Sequence, residues 1–152
     1  MPTHPDRPAG LERLVEAELT AEPVFLMARA ASTGSSAANR KLAQLDLKVR
    51  HYSVLALACG EEQLTQRELS QFLVLDPSQI VAILDELEGR GAVERRTDPR
   101  DRRSKIIVPT AAGRELYAQA KALVETSTAE SLSPLSPAEC EELSRLLKKV
   151  AF

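Results

Sequence analysis

Two helix starts in quick succession constrain this chain more than any other feature. Thr65-Gln66-Arg67-Glu68 has the form of a capping box, in which the threonine hydroxyl accepts a free backbone N–H and the glutamate reaches back to the cap amide. Asp76-Pro77-Ser78-Gln79 repeats that logic with proline at the first helical position, where its missing N–H has no consequence. The spacing predicts a short helix over about 66–73, a turn at 74–76 and a longer helix over 77–89, with Gly91 just beyond as a left-handed cap. Leu69, Phe72 and Leu73 form the apolar face of the first helix. Ile80, Ile83, Leu84 and Leu87 form that of the second, at helical spacing. Two short helices with facing apolar stripes and a tight turn between them make a helix-turn-helix.

After Gly91 the period shortens. Val93–Thr97 and Lys105–Val108 read as short strands around a turn-forming tip, Asp98-Pro99-Arg100-Asp101-Arg102-Arg103. Between Arg95 and Lys105, six basic residues face two acidic ones, a local charge of +4 over eleven residues in a chain whose net charge is −2. Such a run is ordinarily a solvated loop; beside a helix-turn-helix it becomes a candidate nucleic-acid contact. Thr110 caps a long helix to about Thr128. A Ser/Pro linker is expected over 129–135, then a helix over 137–150 opened by the capping box Ser136-Pro137-Ala138-Glu139. Upstream, residues 1–10 read as a flexible proline-rich tail, and Leu11, Leu14, Val15 and Leu19 mark one face of a short amphipathic segment. A mostly helical stretch follows from Val24 to about Leu47, weakest at Ser32–Ser36 around Gly34. The next helix runs from Val49 to Cys59 and is stopped by Gly60.

Composition removes several function classes. At 152 residues with 43% apolar and 28% charged content, the chain fits one ordinary globular domain. Aromatics are 3% and tryptophan is absent, which argues against stacked-base recognition of single strands or RNA. No apolar run approaches the ~20 residues of a membrane span, and the polar N-terminus has no secretory core. Two cysteines, Cys59 and Cys140, suit a reduced cytoplasm better than a disulfide scaffold. Two histidines, His4 and His51, offer no metal-ligand spacing, and no phosphate-binding glycine loop or nucleophile elbow occurs. Neither catalysis nor a metal nor a cofactor is expected.

The ordered series from Leu64-Thr65-Gln66-Arg67-Glu68-Leu69 through Asp76-Pro77-Ser78-Gln79-Ile80-Val81 and Leu84-Asp85-Glu86-Leu87-Glu88-Gly89-Arg90-Gly91 to the wing and Thr110-Ala111-Ala112-Gly113 resembles the MarR family of bacterial regulators. The resemblance covers about residues 48–116 at motif level. It implies a mainly α fold with a small β-hairpin wing: a winged helix-turn-helix at 49–109, flanked by dimerisation helices at 11–48 and 110–152. It further implies a homodimer that grips a near-palindromic double-stranded DNA operator as a transcriptional regulator, by default a repressor. A small-molecule effector of unspecified chemistry is implied too, and no membrane partner.

Site residues follow from the two elements. On the 77–89 helix, Pro77, Ser78, Gln79, Ala82, Asp85 and Glu86 remain outward once the apolar stripe is assigned. Gln79 suits adenine, Ser78 a base edge or phosphate, and Ala82 a thymine methyl, although Ser78 and Gln79 also serve the cap. Relatives resembling this sequence often carry a basic residue near Ala82, so its absence beside Asp85 and Glu86 shifts weight to the wing. There, Asp98 and Asp101 are expected to hold the hairpin through turn amides or Arg103, leaving Arg100 and Arg102 outward for a narrow minor groove. Spacing alone does not say which of Arg100, Arg102 and Arg103 is brace and which is probe. Thr65 and Arg67 are candidate phosphate contacts. The resemblance places an effector pocket near Phe25, Met27, Arg29, His51, Tyr52 and Leu55, each of which equally suits core or interface. Two alternatives stand beside this reading: a thiol-based redox regulator using Cys59 or Cys140, and a winged helix serving as a protein-interaction module.

Overall fold

In the computed structural model, which describes residues 10–152, both capped helices form where the sequence puts them. The tail expected over residues 1–10, His4 included, lies outside the described residues except for Gly10. The elements run α1 (Pro23–Leu42), α2 (Val49–Ala58), α3 (Gln66–Leu73), α4 (Pro77–Gly89), β1 (Val93–Thr97), β2 (Lys105–Pro109), α5 (Ala111–Ser131) and α6 (Pro137–Ala151). At α3 the amide of Glu68 donates to the Thr65 hydroxyl at 3.2 Å, and the Thr65 amide donates back to the Glu68 carboxylate at 2.7 Å. The same reciprocal pair opens α6, at 3.3 and 2.8 Å between Ser136 and Glu139.

Asn39–Val124 forms one compact unit. Its core is built from Leu42, Leu47, Val54, Leu55, Leu69, Ile80, Leu84, Leu87, Val93 and Ile107. All four residues of the α4 apolar stripe are buried. The wing is an antiparallel hairpin in the register Val93↔Pro109 to Thr97↔Lys105. It is tied to the start of α3 by a bridge between Thr65 and Ile106 and by the Ile107 amide, which donates to the Leu64 carbonyl at 2.9 Å. The N-terminus of α5 rests directly on the chain entering β1: the Thr110 hydroxyl accepts the Gly113 amide at 3.0 Å, and a Cβ on Gly113 would stand 1.9 Å from the Ala92 carbonyl oxygen. Only glycine fits there.

Residues 10–38 and Glu125–Phe152 form a second compact unit. Apolar residues stay exposed in it, among them Leu14, Leu19, Val24, Leu146, Val150 and Phe152, and α6 buries none of its side chains.

Four boundaries differ from expectation, each for a local reason. The segment at 11–19 is two short 3-10 stretches, Glu12–Glu16 and Glu18–Ala21, separated by an extended Ala17; so short a run gains too few hydrogen bonds to repay helix nucleation. Gly34 leaves α1 unbroken, since one glycine costs only about 1 kcal/mol among good helix formers. That helix ends at Leu42, and a single 3-10 turn, Ala43–Leu45, closes on Asp46 in the left-handed region at φ 52°. Finally, α5 continues to Ser131, shortening the expected linker, because nothing opposes helix before Ser133-Pro134. No helix among the described residues is long and apolar enough to cross a membrane.

Candidate nucleic-acid interface

The wing tip is held by Asp98, whose side chain is only 4% exposed. One of its oxygens accepts the Arg100 amide at 2.8 Å and the Arg100 Nε at 3.1 Å; the other accepts a second guanidinium nitrogen, also at 3.1 Å. Arg100 reaches on to the Gln63 carbonyl at 3.1 Å, bonding the tip to the loop before α3. The guanidinium and amide of Arg100 together hold the Asp98 carboxyl below the usual carboxylate range. Arg100 is therefore the brace, which corrects the expectation that it stands free beside Arg102. Two residues separate it from Asp98, and the turn brings its own amide and side chain onto one carboxylate. Asp101 instead accepts the Arg103 amide at 2.9 Å, a contact that leaves the Arg103 side chain unused. Arg102 and Arg103 are exposed and have no side-chain partner among the described residues.

The remaining charge of the basic run is mostly spent inside the fold. Arg96 is paired with Glu94 at 2.8 Å. Arg95 bridges from β1 to α4, contacting Asp85 at 2.6 Å and also Glu88. Its amide donates to Glu88 at 3.1 Å, and these bonds keep the Glu88 carboxyl below its ordinary pKa. Glu86 faces His51 of α2 at 2.8 Å. The acidic residues that seemed to weaken the α4 surface are thus each matched by a cation or a hydrogen-bond donor.

On α4, Ser78, Val81, Ala82 and Asp85 form one exposed stripe at i, i+3, i+4 and i+7, opposite the buried stripe. Val81 was not anticipated as part of it, although its spacing from Ser78 and Ala82 carried the signal. Pro77 is exposed at the helix start. Gln79 is half-buried, and its side-chain oxygen accepts the Asp76 amide at 3.1 Å, so one end of it serves the cap. Arg67 is exposed, whereas the hydroxyl of half-buried Thr65 donates to Glu68 at 2.8 Å. That capping interaction, through the Thr65 amide first, lowers the Glu68 pKa.

The residues named for an effector pocket fall in different places. Phe25, Met27 and Arg29 lie on the part of α1 within the second unit. Leu55 is fully buried in the core, and Tyr52 stacks on Tyr117 with ring centroids 5.8 Å apart. Sequence reasoning missed an open groove of about 690 Å³ beside α2 and α3, floored by Ala56, Leu57, Leu64 and Phe72 and edged by Glu61 and Glu62. Its signal was the exposed Phe72, assigned to the apolar face of α3 but 54% exposed. Burial pushes the Cys59 thiol up against a lesser pull from Arg114, which disfavours the reactive thiolate. No cluster of metal-ligating side chains occurs among the described residues.

The comparisons with known proteins bear on the whole of this arrangement. The MarR family model matches residues 45–104, from the α1–α2 turn to the end of the wing tip. A transcriptional regulator of that family from Rhodococcus sp. RHA1 is 38% identical, with a TM-score of 0.84 over 90% of this chain and 96% of that one. CouR from Rhodococcus jostii RHA1, solved with p-coumaroyl-CoA, is 39% identical with a TM-score of 0.79 over the same shares, 90% and 96%. Another transcriptional repressor called CouR, differing in sequence from the first and solved on a 23-mer DNA duplex, matches at 31% identity and a TM-score of 0.81, again over 90% and 96%. With such identity sustained over nine-tenths of its length, this chain belongs to the MarR family of transcriptional regulators.

Proposed function

We propose that the protein is a ligand-responsive repressor that binds a near-palindromic DNA operator as a homodimer, with no catalytic step. The observation that carries this reading is the pair of arginines, Arg102 and Arg103, without a side-chain partner among the described residues, on a tip that Asp98 and Arg100 hold rigid. Guanidinium groups on a preordered hairpin suit a narrow minor groove. Beside them, the exposed stripe of α4 offers Ser78 for a base edge or phosphate, Val81 and Ala82 for thymine methyls, and the free amide end of Gln79 for a base acceptor. The positive end of α4, with Arg67 nearby, suits phosphates. The CouR repressor solved on duplex DNA supports the mode of binding, and the Rhodococcus jostii CouR solved with p-coumaroyl-CoA supports response to a small molecule. Exposed apolar residues at both ends of the chain support the homodimer. A regulator of this kind works in the cytoplasm, beside the chromosome.

Matched acids on α4 remove the main support for a protein-interaction module, and the raised Cys59 pKa weakens a thiol switch. A gel-shift titration on DNA upstream of the gene tests the reading. Saturable binding that weakens steeply between about 50 and 200 mM salt is expected, because neutralised phosphates release counterions. Absent or salt-insensitive binding by a folded protein overturns it.

A further inference from the structure

We infer that His51 and Arg90 are positioning residues for the DNA-reading helix, hanging α4 from the α1–α2 turn at two points. The inference rests on α4 being the element that reads bases. At the first point, His51 is buried, yet both ring nitrogens are engaged. Its Nδ1 accepts the Lys48 amide at 3.1 Å, which requires a lone pair there and places the ring proton on Nε2. That proton is donated to Glu86 of α4 at 2.8 Å. One imidazole therefore closes the N-terminus of α2 and ties it to the last turn of α4.

At the second point, Arg90 just past the end of α4 donates to two successive carbonyls, Leu45 at 2.8 Å and Asp46 at 3.0 Å. The left-handed Asp46, at φ 52°, makes the reversal from which one guanidinium reaches both oxygens. A residue other than glycine held in this region is a strained turn that its surroundings must hold in place. The Val49 amide adds a third tie, donating to the Asn39 side chain on the last turns of α1 at 2.8 Å. Asp46, His51, Glu86 and Arg90 border one open depression of about 380 Å³. Polar bonds fix the spacing between turn and helix. A shift of residues 43–48 is passed to α4 through them, and with it the placement of Ser78, Val81 and Ala82.

The test is equilibrium binding of full-length protein to upstream operator DNA and to random-sequence duplex, with Glu86→Gln, Glu86→Ala and Arg90→Ala. Glu86→Gln keeps the acceptor for His51 while removing the charge; Glu86→Ala removes both. Loss of one such bond is expected to lower the operator-over-random preference about threefold to tenfold for Glu86→Ala relative to Glu86→Gln, and similarly for Arg90→Ala relative to wild type. The salt slope of Arg90→Ala should equal that of wild type, because Arg90 holds carbonyls rather than phosphates. Equal preference in Glu86→Ala and Glu86→Gln, or a slope reduced by about one in Arg90→Ala, overturns the inference. Lack of any operator preference in wild type overturns the DNA-reading assignment instead. Nitrogen NMR of the free protein then decides the clamp by itself: Nε2-protonated His51 is expected, and the Nδ1 tautomer contradicts it.

Discussion

Arg100 and Arg102 are two residues apart in one loop and do different work. Arg100 is committed to Asp98 and to the Gln63 carbonyl, whereas Arg102 and Arg103 keep their charge for a partner. Arg102→Ala and Arg103→Ala are therefore each expected to weaken operator binding by about 1–3 kcal/mol where they reach bases, or to lower the salt slope by about one where they reach phosphates. Fluorescence anisotropy over a salt series distinguishes the two. Spacing could not make this division, because Asp98 and Asp101 each lie within reach of two arginines and only the path of the turn decides. Acid should loosen the same tip. Asp98 and Glu68 titrate below their ordinary range when folded, so they stabilise the fold above that range and lose this as pH falls from about 4. Melting temperature should drop along that limb, and the drop should be shallower in Asp98→Asn, which has no carboxylate left to protonate at that position. An acid limb as steep as wild type in Asp98→Asn would contradict the brace.

At the scale of elements, what the sequence made legible was what is local. Capping boxes act over three residues, and the starts of α3, α4 and α6 stand where those residues put them. The links that hold α4 against β1, α2 and the α1–α2 turn span far more chain: Arg95 to Asp85, His51 to Glu86, and Arg90 to the Leu45 and Asp46 carbonyls. No periodicity signals such pairs. Two backbone features were also hidden. Val74, in the turn between α3 and α4, is left-handed at φ 52° and 89% exposed, so it carries strain without packing to offset it. Val74→Gly should raise stability by about 0.5–1 kcal/mol, the left-handed cost relieved less the entropy of glycine. Gly113→Ala has the opposite sign, because its Cβ would meet the Ala92 carbonyl backbone. A loss of about 1–3 kcal/mol or more is expected. Thermal or urea unfolding of the two variants checks both; a neutral Gly113→Ala would show that α5 does not rest on the chain entering β1.

At the scale of the whole molecule, positive charge is concentrated rather than abundant. The net charge is −2, and much of the basic run is consumed by Asp85, Glu88, Glu94 and Asp98. Affinity that draws on two free arginines per wing tip gains from two winged domains acting together, since linked sites raise effective concentration without new contacts. Residues 10–38 and Glu125–Phe152 leave apolar side chains exposed, and these are the surfaces we propose for the twofold pairing. Sequence periodicity marked an amphipathic face only at 11–19, because a surface that a second chain would cover leaves no local pattern of its own. The most direct measurement is a hydroxyl-radical footprint of the protein on its upstream DNA. Two protected half-sites are expected, related by a dyad and centred about one helical turn apart, or a multiple of it, with protection at the wing positions lost in Arg102→Ala. A single protected half-site, or uniform protection without discrete boundaries, would contradict a dimer that reads DNA with one helix and one arginine tip per subunit.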